Sequence, residues 1–379
     1  MPRAEQPNNT CIESFGAYGQ LWVTRCPTPS ATALAIQQRW IHSEFESTGI
    51  KVATLEETDD AQLRMQPVYH NLRGLFHDGG NLAALAARAS GYANTTVIGL
   101  TCMDEYQALL ARPNAGLIGP GSLKYKRLGL PKKSKENQNG GMDMCRAMAL
   151  RAYLGTLELV GIDSDDVQLT AIPYSVVDHK KSDDALTASV AALISGRVDV
   201  IYVHGAAAKR LKRAHALDVV FDISASKNLL TRICNNTPRL LTIDRDYLCE
   251  NPGIVARYLA VLLQTAKWAE LNAKETRRVL AAQLQIDPSS LLSGYGRFLH
   301  RHLHVQLTPR LLQALVEQKN FLLAHGFIPA DLKRAVRDFL HGSGRPIMPV
   351  RGESSLKFRH SKQTMKWNRD PSALNTSTR

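Results

Sequence analysis

Cys26 stands in the run Arg-Cys-Pro-Thr-Pro-Ser, where a short segment rich in β-formers gives way to a stretch with helical spacing. A thiol at such a junction meets the unpaired N–H groups and positive end of the helix, which favour the thiolate and lower its pKa. With a histidine nearby, a cysteine so placed can act on an electrophile or pass on a proton. The competing reading is a small buried apolar residue, because free cysteine is among the most buried types. Gly79, Gly80 and Asn81 form a second candidate, a turn that leads into an alanine-rich helix. It is either a plain turn or a cradle whose backbone N–H groups face an anionic oxygen at a helix start. The six cysteines never come closer than 15 residues and form no CxxC pair, so a structural zinc is not expected. His300, His302 and His304 alternate beside a helical region, where that spacing does not bring all three to one face. No metal site is expected from these residues.

The elements that must position these residues follow from hydrophobic period. Residues 18–26 read as a strand, and ATALAIQQRWIHSEF after it has the i, i+3, i+4 spacing of a helix. Thr28 or Ser30 suits the helix cap and Pro29 its first turn. GIKVATLE and TTVIGLTCM read as strands, DEYQALLARP as a short helix, and RLGLP as a strand start. A long amphipathic helix, MDMCRAMALRAYLGTLELVGI, precedes strand DVQLTAIP, helix DDALTASVAALISG and strand RVDVIYV. Alternating strands and helices on this scale predict two α/β units with largely parallel sheets. From about Asn251 onward the pattern is nearly all helical, and beyond Leu340 apolar content falls to a level that predicts disorder. Cys102, Cys145, Cys234 and Cys249 lie within these periodic stretches and are expected in the core.

The chain has 379 residues, 44% apolar and 21% charged, which suits a soluble globular protein with two lobes. No apolar run reaches the length of about 20 residues that a membrane-spanning helix needs, so no membrane partner is expected. The start, MPRAEQPNNT, lacks the layout of a secretory signal, which predicts a cytoplasmic location and reduced thiols. The net charge is +13, and the last 29 residues hold seven Lys/Arg against Glu353 and Asp370. Six more basic residues lie between Lys124 and Lys135. These are either solvated surface and tail, or a field that draws a small anion toward a cleft. No helix-turn-helix, RNP-like or zinc-finger pattern is present, so nucleic acid is not an expected partner.

The segments RCPTPS, FHDGGN with the helix and strand after it, LVGIDSDDVQLTAIP, ISGRVDVIYV, NPGIVARYLAVLLQTAKWA and LTPRLLQALVEQKNFLL together carry a resemblance. In order, over roughly residues 18–340, they resemble the 2′-hydroxybiphenyl-2-sulfinate desulfinase family, similar in fold to sulfonate- and taurine-binding transport proteins. The resemblance implies a two-lobed α/β fold of the type 2 periplasmic-binding kind, with a helical C-terminal part and a disordered basic tail. Lobe I is expected over 15–115 and 236–342, lobe II over 116–235, and the tail over 343–379. It also implies cofactor-free cleavage of an aryl carbon–sulfur bond with release of sulfite, and a small anionic aromatic sulfur compound as partner. The family's cysteine corresponds to Cys26 and its glycine pair to Gly79 and Gly80, with Asn81 completing the substrate-binding turn. Where the family has an arginine before the glycines, this chain has His77 and Asp78. His70 is the candidate for the family's histidine, and Arg73 for the missing guanidinium. Cys26 can then attack a sulfinate sulfur or protonate the ring carbon that bears it. A solute-binding protein for sulfonates, or a biosynthetic relative with changed chemistry, uses the same clamp. A monomer is expected.

Overall fold

The computed structural model describes residues 19–24, 27–91, 93–134, 141–175 and 184–329. Arg25, Cys26 and the basic tail at 343–379 therefore lie outside the described residues. Among the described residues ten strands form two five-stranded sheets. In chain order they are β1 (Gln20–Val23), β2 (Lys51–Thr54), β3 (Leu75–Gly79), β4 (Thr95–Thr101), β5 (Gln107–Ala111), β6 (Arg127–Lys133), β7 (Gln168–Tyr174), β8 (Val200–His204), β9 (Asp218–Asp222) and β10 (Arg239–Asp244).

The first sheet has the order β2-β1-β3-β10-β4 and the second β7-β6-β8-β5-β9. Helices connect β1 to β2 and β6 to β7, as parallel neighbours require, since only a crossover brings the chain back to the same end of a sheet. One strand in each sheet runs against its neighbours: β10 is antiparallel to β3 and β4, and β5 to β8 and β9. Each reversed strand is the first that the chain builds after crossing from the other sheet. The sheets are thus mixed where the alternation of elements predicts largely parallel ones.

β5 corrects a second expectation. The stretch DEYQALLARP, which reads as a helix, is a strand whose five residues Gln107–Ala111 are all buried between β8 and β9. A short continuous apolar run has no period of its own, so burial on both faces decides its conformation. The strand lies in the second sheet, although the lobe boundary read from the sequence falls after it, at 115.

One hydrophobic cluster runs through both sheets, joining Leu100 and Leu240 of the first to Leu109, Leu128 and Val200 of the second. Helices Asn81–Ala89 and Pro309–Ala324 supply Leu82, Leu85, Leu311 and Leu315 to it. The C-terminal part is helical over Pro252–Leu271, Ala273–Gln283, Pro288–Tyr295 and Pro309–Ala324, three of them with proline in the first turn. Among the described residues no helix is long and apolar enough to cross a membrane.

Candidate functional site

β1, β3 and β4 run in the same direction, so their C-terminal ends lie at one end of the first sheet, where open α/β sheets hold ligands. Cys26 follows β1 in the chain. On its far side Ser30 caps helix Ala31–Gln37, its Oγ accepting from the Ala33 N–H at 3.1 Å. Pro29 precedes this cap and is not in the first turn. Thr28 Oγ1 is buried with no hydrogen-bond partner among the described residues.

β3 is buried along its whole length and presents His77, Asp78 and Gly79 at its end. His70 closes the short helix Gln66–Tyr69 in a left-handed conformation (φ 53°), which turns the chain toward β3. The two imidazoles meet with ring centroids 4.0 Å apart and are 2% and 3% exposed. Both nitrogens of His70, and Nδ1 of His77, have no hydrogen-bond partner among the described residues. Burial pushes His70 down to about 4, and burial with the nearby His70 and Arg239 holds His77 well below the ordinary histidine value. The structure thus brings these two candidates together as a pair of neutral imidazoles.

Arg73 is elsewhere. It sits in the turn before β3, at the opposite end of that strand from Gly79, a strand rise of about 13 Å, and forms an ion pair with Glu250 in which both side chains are nearly half exposed. The guanidinium beside the glycines is instead Arg239, the first residue of β10 and 1% exposed. Its Nε donates to Asp78 Oδ1 at 2.6 Å, its Nη2 to the Asp78 carbonyl at 2.5 Å, and its Nη1 to Asn236 Oδ1 at 3.0 Å. Sequence reading passed over Arg239, whose one signal is a charge opening the otherwise apolar run RLLTID.

Gly79 and Gly80 are places of close approach. A Cβ on Gly79 would lie 2.0 Å from the His77 ring, and one on Gly80 would lie 2.2 Å from Asn235 Oδ1. Asn235 reaches in to cap helix Asn81–Ala89: its carbonyl accepts from the Asn81 N–H at 2.8 Å and its Oδ1 from the Leu82 N–H at 3.1 Å. The Asn81 and Leu82 N–H groups, two of the donors at this helix start, are therefore already taken. The Asn81 side chain is wholly buried, donating to the Cys234 and Pro238 carbonyls at 2.6 and 2.8 Å and accepting from Gln318 at 3.2 Å. It anchors the capping loop.

From Arg239 the polar path continues through Asn236, whose Nδ2 donates to Glu105 Oε2 at 3.0 Å. Glu105 Oε1 lies 3.4 Å from Nδ1 of His204, the last residue of β8 in the second sheet. Burial alone would raise the Glu105 carboxyl, but bonds from His204 and Asn236 and the charge of Arg239 outweigh it and hold the group below its usual range.

The remaining candidates spread out. His302 faces Asp104 at 2.9 Å and His304 faces Glu270 at 3.0 Å, and among the described residues no group of three or more side chains is arranged to hold a metal ion. Cys234 is buried, and burial with Glu105 nearby pushes its thiol up to about 12. Cys102 and Cys145 are half-buried, whereas Cys249 is exposed rather than in the core, on the outer side of helix Arg245–Glu250.

No family model matches the chain. It is 24% identical over 359 residues to the 2′-hydroxybiphenyl-2-sulfinate desulfinases of Rhodococcus erythropolis and Rhodococcus qingshengii, covering 85% of this chain and 93% of each of theirs. Among solved structures it resembles a cysteine-to-serine mutant of the enzyme DSZB in complex with biphenyl-2-sulfinic acid, with TM-score 0.63 and 20% identity over 85% of this chain and 98% of that one. It also resembles the periplasmic aliphatic sulphonate binding protein SsuA from Escherichia coli, with TM-score 0.59 and 13% identity over 82% of this chain and 88% of that one. Along most of its length the chain is thus similar in sequence to 2′-hydroxybiphenyl-2-sulfinate desulfinases, and it has the two-lobed fold that they share with sulfonate-binding proteins.

Proposed function

We propose that the protein is a desulfinase-like enzyme that cleaves the aryl carbon–sulfur bond of a small anionic sulfinate, with Cys26 as its reacting group. The observation that carries this reading is the desulfinase match over 85% of the chain, with Cys26 followed by a helix start that Ser30 caps. The reaction balances with water alone: an aryl sulfinate and water give the arene and bisulfite. In one route the Cys26 thiol protonates the ring carbon, the carbon–sulfur bond breaks to release SO₂, and water adds to the SO₂ and returns the proton. In the other the thiolate attacks sulfur, the aryl carbon leaves and takes a proton to give the arene, and water hydrolyses the resulting Cys26 S–SO₂⁻ adduct to bisulfite, returning the thiolate and the proton. The pair His70 and His77 is held neutral because a charged imidazole there would stand desolvated, so it is suited to pass that proton on rather than to hold it.

Arg239 is committed to Asp78 and Asn236, and neutral His77 stands where the related family has an arginine. This favours a second reading, a clamp that binds a sulfonate-like anion without cleaving it. Sulfite release from a panel of aryl sulfinates, with Cys26→Ser beside the unaltered protein, separates the two. A drop of at least about 100-fold in the variant is expected for a group that transfers the proton. Equal rates would remove Cys26 from the chemistry. No release from any sulfinate, with calorimetric binding of an alkanesulfonate unchanged by Cys26→Ser, would establish the binding reading.

A further inference from the structure

A cavity of about 490 Å³ opens beyond the end of β4, with neither His70 nor His77 in its wall, and is walled by the segment that leads into helix Pro309–Ala324. Arg232, Arg301 and Arg310 line it, together with His302 and His304. Asp104 is its one acidic wall residue, and it is already shared between Arg232 and His302. His304 is turned to Glu270, outside the cavity wall. Arg301 and Arg310 are exposed and form no ion pair among the described residues, Arg301 lying over the Phe298 ring. Even with both histidines neutral, three guanidiniums face one carboxylate.

The position of Arg310 sharpens this imbalance. It occupies the first turn of a 16-residue helix capped by Thr308, where the helix dipole disfavours a cation and favours an anion. A guanidinium there, facing others across a cavity, is repelled by its surroundings until something negative sits between them. The cavity holds more than a bare ion: one water's share of liquid volume is about 30 Å³, and pockets for small organic molecules begin at about 300 Å³. Leu229, Leu311 and Cys102 supply an apolar wall for such a body.

We propose that this cavity, which shares no wall residue with the His70–His77 pair or the Gly79–Asn81 turn, is a second binding site for a small organic molecule carrying a tetrahedral oxyanion of the phosphate or sulfate kind. Arg301 and Arg310 clamp the oxyanion, and the Leu229–Leu311 side takes the organic part. Calorimetric titration of the full-length protein with phenyl phosphate, inorganic phosphate and inorganic sulfate, at ionic strength fixed with chloride, tests it. Phenyl phosphate is expected to bind more tightly than either inorganic ion, and Arg301→Gln with Arg310→Gln to weaken it at least tenfold. Without ligand, the thermal midpoint of that double variant should equal or exceed that of the parent, because it removes repulsion. Cys26→Ser should leave phenyl phosphate affinity unchanged. Absence of binding, affinity of the double variant within twofold of the parent, or a lowered midpoint without ligand would each overturn the site. Loss of binding in Cys26→Ser would place the ligand in the other cleft and overturn it equally, whatever the sulfite assay shows.

Discussion

His70 is held neutral by burial, and that has a measurable consequence in acid. Its folded value of about 4 lies below the unfolded value of about 6.5. Between those two pH values the unfolded chain binds a proton that the folded chain does not, so stability falls as pH drops through this window. The loss from this one residue amounts to about 3 kcal/mol, complete near pH 4, and His77 adds to it in the same direction. His70→Asn keeps a residue that tolerates the left-handed conformation while removing the titration. Urea unfolding at pH 4.5 and pH 7.5 should show a markedly smaller pH-dependent loss in the variant. An unchanged difference would mean that His70 is protonated in the folded protein. The candidacy of these histidines came from the family resemblance. Their mutual contact did not, because neither lies on a periodic face that would have marked it as buried.

At the scale of elements, helix Asn81–Ala89 begins where its Gly-Gly-Asn turn predicts, but its cap comes from Asn235, more than 150 residues away in the chain. Gly80→Ala must push the Asn235 side chain out of the capping position, since the new Cβ meets it at 2.2 Å. Losing a cap costs about 1 kcal/mol, and forced overpacking adds about 1–3 kcal/mol. In an Asn235→Ala background the clash is absent, so the same glycine substitution should cost less than about 1 kcal/mol there. A double-mutant cycle on unfolding free energies reads the coupling directly. Additive costs would show that Asn235 does not occupy the turn. Such long-range partners are what the sequence withholds. The helix Met144–Val160 is legible in its spacing, and Val200–His204 in its β-branched and aromatic residues, which β5 lacks. β5 reads as a helix because its apolar run lacks a period, and β9 and β10 lie between the strand RVDVIYV and Asn251, a stretch the spacing leaves unassigned. With β10 went Arg239, and with it the correct neighbour of the glycine pair. Arg73 was proposed for that place on sequence proximity, which carries no information about which end of a strand a side chain occupies.

Across the whole molecule, a buried polar path runs from Asp78 through Arg239 and Asn236 to Glu105, and from there to His204 in the second sheet. Its charges are out of water, so each depends on its neighbours to offset the loss of hydration. Asp78→Asn leaves the Arg239 charge, itself 1% exposed, without its carboxylate, and should cost about 3–5 kcal/mol. Replacing both partners, as Asp78→Leu with Arg239→Met, removes the charge together with its counter-ion. Buried pairs exchanged for apolar residues of similar size are often neutral in stability. The double variant should therefore be more stable than the single one, even though it carries the larger change. Some cost should remain, because Asn236 and the Asp78 carbonyl lose the donors that Arg239 gave them. Denaturant unfolding of the three proteins at neutral pH decides the matter. If the double variant is the less stable, the pair contributes net stability of its own, and the joint between the two sheets depends on charge as well as on the apolar cluster beneath it.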